Sequence, residues 1–105
     1  MKLFLNGKMT EPIKVDNFNR NLNIPSEDIL FDIYFSTNNL NDALSFSSLI
    51  QYATTPITEY VLSTDDDEVV LNAEDVNAKL ISFGETFSNE NYTASAAIQE
   101  LKPQE

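Results

Sequence analysis

The chain contains no cysteine, no histidine and no tryptophan. Without cysteine there is no disulfide framework, no thiolate-bound zinc and no thiol nucleophile. Without histidine, the commonest general base near neutral pH and the commonest metal ligand are both missing. These absences set aside most hydrolase and metalloenzyme designs, so the chain is expected to be no enzyme and to carry no cofactor. Lack of tryptophan also removes an aromatic platform for a sugar between paired carboxylates. Long hydrophobic runs are missing too: none approaches the roughly 20 residues of a membrane span. Met1-Lys2-Leu3-Phe4-Leu5 meets Asn6-Gly7 well short of the about 7–15 apolar residues of a signal peptide. The expectation is a soluble protein made in its host's cytoplasm, with no membrane partner.

Basic side chains are scarce. Six lysines and arginines face 17 acids, a net charge of −11. Residues 1–53 carry six acids against four bases, whereas residues 54–105 carry eleven against Lys79 and Lys102. A phosphate-binding surface needs the opposite sign, so direct nucleic-acid binding is not expected. Acidity most simply confers solubility. The sharper reading is an inhibitor that imitates the charge of DNA to block a host nuclease or defence protein.

What is present suffices for a core. The chain has 105 residues, 42% of them hydrophobic, with seven Phe and four Tyr. A single domain of this size, residues 1–105, buries about two-thirds of its unfolded surface. Residues 102–105 should fray. Asn6-Gly7 is the strongest hairpin signal and predicts a type I′ turn between strands at about 2–5 and 8–15. Pro12 directs the second arm to an edge or a bulge. Residues 16–28 alternate asparagine with Phe18, Arg20, Leu22 and Ile24. They read as a loop or irregular arm with Phe18 and Leu22 dipping into the core, or else as an arm that pairs with a neighbouring chain.

Ile29 to Phe35 alternates cleanly and predicts a half-buried strand. Ser36-Thr37-Asn38-Asn39 supplies N-cap candidates for a helix over about 40–53, ended by Pro56. Its apolar stripe is expected to run through Leu40, Ala43, Leu44, Ser47, Ile50 and Ala53, with Phe46 and Leu49 nearby. Two further hairpins follow, 57–63 with 68–71 and 76–83 with 92–98. In the second, Val76, Ala78 and Leu80 share one face but Ile81 and Phe83 the other. That slip predicts a β-bulge near Leu80-Ile81, and Gly84 suggests a second irregularity. Alanines in the last strand should leave room for the helix. The fold class is therefore α+β, mainly an antiparallel sheet of about six or seven strands packed with one helix.

The acidic corner Asp65-Asp66-Asp67-Glu68 is the most conspicuous candidate site. It lacks the alternate spacing, central glycine and distal glutamate of a calcium loop, so a solvated hairpin tip or a partner-binding tip is expected instead. Tyr34, Tyr60 and Leu62 lie in strands whose other face is already apolar. They are core if both faces are covered, and a partner surface if one is not. The partner-binding candidates are thus Tyr34, Tyr60, Leu62, Asp65, Asp66, Asp67 and Glu68.

The opening Lys2-Leu3-Phe4-Leu5-Asn6-Gly7-Lys8, the segment Asn17-Phe18-Asn19-Arg20-Asn21 and the β-rich, Cys- and His-free remainder resemble small tail- and baseplate-region proteins of tailed bacteriophages and prophages of low-GC Gram-positive bacteria. The resemblance is one of style across the chain and assigns no functional residue. It implies a non-enzymatic virion or tail-assembly protein. Such a protein docks on copies of itself in rings, or on another tail subunit, and its expected destination is the virion.

Overall fold

Eight strands and one helix follow one another along the chain in a computed structural model that describes residues 1–6, 12–50 and 56–101. They are β1 (Lys2–Leu5), β2 (Ile13–Lys14), β3 (Asn17–Leu22), β4 (Ile29–Thr37), α1 (Leu40–Ile50), β5 (Tyr60–Ser63), β6 (Val69–Ala73), β7 (Ala78–Ser88) and β8 (Asn91–Glu100). The strands form two four-stranded antiparallel sheets, ordered β2-β1-β5-β6 and β3-β4-β8-β7. The mainly antiparallel class with one helix is as the sequence indicates, with the strands divided between two sheets.

Alternation in β4 and β8 builds the second sheet's inner face. Phe31, Ile33 and Phe35 lie beside Ile98, Ala96 and Ala94 in register, and all six are buried. From the first sheet, Leu3, Leu5, Tyr60 and Leu62 join the same core. Side chains two residues apart share a face, so each strand presents one apolar row to this core.

The chain crosses between sheets at Val15-Asp16. Val15 N donates to Met1 O (2.9 Å), while Asp16 N donates to Tyr34 O (2.8 Å). The Asp16 carboxylate accepts from Ser36 N at 2.8 Å. One residue therefore closes the first sheet and its neighbour opens the second.

Four expectations need correction. A two-residue Asn6-Gly7 turn would put Leu5 opposite Lys8. The observed register, Lys2 opposite Lys14 and Leu3 opposite Ile13, is three residues out from that pairing. Gly7 to Glu11 lie outside the described residues. Asn6 adopts a left-handed φ of 52°. Its side chain accepts from Thr58 N (2.9 Å) and donates to Pro56 O (3.2 Å), which ties down the approach to β5.

Residues 17–22 form no irregular arm but an edge strand in continuous register with β4, from Asn17 opposite Tyr34 to Leu22 opposite Ile29. Phe18 packs on the core, whereas Leu22 stays exposed. Asparagine alternation had hidden a strand with one solvated face.

The helix starts as its N-cap candidates suggest, with Asn39 Oδ1 accepting from the N–H groups of Asn41 (2.9 Å) and Asp42 (3.2 Å). Residues 51–53 of the expected helix lie outside the described residues. The buried row is Ala43, Phe46 and Ile50, with Leu40 and Leu44 left exposed. Phe46 decides the rotation, because its ring stacks on Phe35 (4.9 Å between centroids) and lies 6.3 Å from Phe83.

The bulge falls where the face switch put it: the β7–β8 register shifts between Leu80 and Ser82, leaving Ile81 unpaired and exposed. Gly84, by contrast, pairs regularly with Ser95 and marks no irregularity.

Truncating Phe46 should therefore cost about 3–5 kcal/mol, as large buried aromatics do. Leu44→Ala, on the outer face, should stay within about 0.5 kcal/mol. Urea titrations of both variants check this, and the reverse order would refute the helix orientation.

Candidate functional site

The acidic corner is a hairpin tip between β5 and β6. Thr64 N donates to Glu68 O (2.8 Å) and Asp67 N to Thr64 O (3.0 Å), with Asp67 at a left-handed φ of 66°. All four acids are exposed. They do not converge, since successive residues of a turn point apart. Among the described residues, no group of three or more His, Cys, Asp or Glu could hold a metal ion.

Two of the four acids meet cations of β1. Asp65 Oδ1 lies 3.0 Å from the Met1 ammonium, and Asp67 Oδ1 lies 2.9 Å from Lys2 Nζ. The hydrogen bond that Lys2 Nζ donates to Asp67, helped by the field of the nearby acids, raises the Lys2 pKa above its ordinary value. Exposed ion pairs of this kind add little to stability and weaken with salt. Asp66 and Glu68 face solvent.

Tyr60 and Leu62, placed among the partner-binding candidates, are buried, and Tyr60 is fully so. The Tyr60 ring lies 5.0 Å from Phe31, which in turn lies 5.2 Å from Phe18. Three rings from β5, β4 and β3 thus form one column through the core. Beyond the ring, Tyr60 Oη donates to Glu100 Oε1 at 2.5 Å, a hydrogen bond linking the first sheet to the second. Burial, then the Glu100 bond, pushes the Tyr60 phenol pKa well up. Tyr92 shows the same pattern nearer the β7–β8 tip: burial and its bond to Glu85 Oε2 (2.7 Å) raise its pKa. Glu100 and Glu85 were missed in the sequence. Glu100 sits at an inward position of β8, and that parity was the available signal.

Tyr34 is exposed, on the outer face of the second sheet. Register surrounds it with Asn17 and Ser95 in its own row, and Asn19, Asp32, Ala97 and Ser82 in the next. These residues line an open depression of about 640 Å³. A shallow face of small polar groups around one ring offers hydrogen bonds but no enclosure. A smaller cleft of about 170 Å³ separates the start of α1 from the β7–β8 tip.

Besides Leu40 and Leu44 on α1 and Leu30 and Tyr34 on β4, exposed large apolar side chains lie at strand edges, turns and tips. Leu22 and Ile24 flank the β3–β4 turn, Val69 and Val70 lie on β6, Ile81 on β7, and Phe87 near the β7–β8 tip. Val70 is itself a bulge residue, since Leu62 faces Leu71 while Ser63 faces Val69.

Comparison with protein-family models, curated proteins and solved structures finds no match. The class of protein is set by the fold alone: two four-stranded antiparallel sheets with one helix. Among the described residues, no helix is long and apolar enough to cross a membrane.

A folded phenol that holds its proton more tightly than an unfolded one stabilises the fold fully below the unfolded pKa, about 10. That contribution is lost as pH rises past this value. Stability should therefore fall above pH 10, by up to about 1.4 kcal/mol per pH unit for each such phenol. Denaturant midpoints measured along an alkaline series check this, and Tyr92→Phe should make the decline shallower. At neutral pH, Tyr60→Phe should cost about 1–3 kcal/mol by leaving the buried Glu100 carboxyl without its donor.

Proposed function

We propose that the protein is a non-enzymatic structural or protein-interaction module that docks through sheet edges and exposed apolar positions. Its partner is a protein, either a second copy of itself or another subunit of an assembly. The setting implied by the resemblance is the virion or tail-assembly apparatus of a tailed phage or prophage. One observation carries this reading: six of the large apolar side chains outside the core, Leu22, Ile24, Val69, Val70, Ile81 and Phe87, stand at strand edges, turns and tips, where a docking chain meets backbone and side chains together. No cofactor, membrane or direct nucleic-acid contact is part of the proposal.

The DNA-mimic reading draws on the exposed Asp66, Glu68, Glu74 and Asp75. It is less well supported, because Asp65 and Asp67 are already paired with cations of the same chain. A mimic needs its carboxylates free in a phosphate-like row.

The readings part on salt. An assembly held by strand edges and apolar contacts should keep its molar mass by light scattering between about 0.05 and 0.5 M salt. A mimic should be monomeric and bind a basic protein, losing that affinity steeply over the same range. A strict monomer at high concentration and both salts would count against the module.

A further inference from the structure

We infer that β3 is a pairing edge for a second copy of this chain, joined antiparallel about a twofold axis through Asn19. The inference rests on the interaction-module reading and names its partner and register.

A strand at a sheet edge presents unpaired N–H and C=O groups, and proteins normally blunt such edges with bulges, proline, charge or short length. Three of the four edges described here are blunted. β2 has two residues and follows Pro12. β6 is bulged at Val70 and flanked by Asp65–Glu68 and by Glu74-Asp75. β7 is bulged at Ile81 and carries Lys79 and Glu85. β3 is the least blunted: it carries one charge, Arg20, and has acids beside it at Asp16 and Glu27-Asp28, but its six residues run in unbroken register, with no proline and no acid among them.

Hydrogen-bond parity shows which groups are free. Asn23 N donates to Asp28 O (2.8 Å), closing the turn after β3. In an antiparallel ladder hydrogen-bonded positions alternate. Asn17, Asn19 and Asn21 therefore bond to β4, and Phe18, Arg20 and Leu22 turn their amide groups to the open edge.

The occupant follows from charge. In a chain of net charge −11, two copies repel wherever acidic surfaces meet. β3 carries only Arg20, whose guanidinium has no ion-pair partner among the described residues. Its own six residues bring no carboxylate against a second copy, so repulsion at this edge comes only from the acids that flank it.

Parity and charge then narrow the register. A twofold axis normal to the sheet keeps inner side chains opposite inner ones, so it passes through a residue. Centred on Arg20 it would oppose two guanidinium groups, which is unfavourable across a strand pair. Centred on Asn19, it places Phe18 opposite Arg20 of the second copy as a hydrogen-bonded pair, cation over ring. On the outer face Asn17 meets Asn21, and Asn19 meets Asn19, a ladder of amides that pair with one another. The two second sheets become one continuous eight-stranded sheet. Such an edge-to-edge contact is small, so the dimer should depend on concentration.

Single-cysteine variants test this cleanly, because the chain has no cysteine of its own. Opposed residues at a non-hydrogen-bonded position lie about 4.5 Å apart at Cα, within disulfide reach. Asn19→Cys under mild oxidation should give a covalent dimer, with Arg20→Cys and Asn21→Cys remaining mostly uncrosslinked. Asn19→Lys should weaken dimerisation about tenfold or more by opposing like charges, with far-UV circular dichroism unchanged. Crosslinking through Arg20→Cys instead would overturn the register. A salt-resistant wild-type oligomer without Asn19→Cys crosslinking would overturn this edge while leaving the module reading intact. A strict monomer would overturn both.

Discussion

Two small sheets must share one core, and the column of Phe18, Phe31 and Tyr60 is where they do so. Neither sheet has an interior of its own. The first contains strands of two to five residues, too short to stand alone as an independent structure. Its inner residues are buried only because β4 and β8 lie opposite. Tyr60 is the residue that reaches across, with its ring against Phe31 and its hydroxyl on Glu100. A buried hydroxyl and carboxyl cost free energy unless paired, and pairing them with each other sets the relative position of the sheets. The Val15-Asp16 crossing fixes the same relation covalently, with adjacent backbone amides committed to different sheets.

That dependence explains what could be read from the residues. β4 was legible because one face is apolar and the other polar, so its period is unambiguous. The bulge at Ile81 was legible for the same reason, since a single inserted residue inverts the parity of everything after it. Tyr60 and Leu62 were harder. In β5 both faces are apolar, and the choice between core and partner surface depends on what covers them, which is tertiary information. The helix shows the same limit: Leu40-Leu44-Ser47 and Ala43-Phe46-Ile50 both have helical spacing. Stacking of Phe46 on Phe35 selects the second row, a contact between residues on different elements.

β3 was read as an irregular arm because asparagine is depleted in strands and no apolar row stands out. Its pairing is dictated by β4, which supplies a continuous ladder and lets Phe18 reach the core. At the Asn6-Gly7 turn only Asn6 is described: it adopts the left-handed φ that the local signal calls for, and its side chain is held by Pro56 and Thr58.

The distribution of charge follows the distribution of edges. Acids gather around β6 and its flanking turns, and a bulge interrupts the ladder there; β7 combines a bulge with charges of both signs. Such devices discourage indiscriminate strand pairing, and in an acidic chain they also keep copies apart. A fold that guards three edges and leaves the fourth regular and lined by amides offers one place where a further strand can pair. Amides also suit that place better than apolar side chains would. They are soluble when the edge is open, and they satisfy one another when it is closed. An edge built of valine or isoleucine would pair with any exposed strand. Under the pairing we infer, one that alternates asparagine with Phe18 and Arg20 is complementary to few sequences, its own antiparallel image among them.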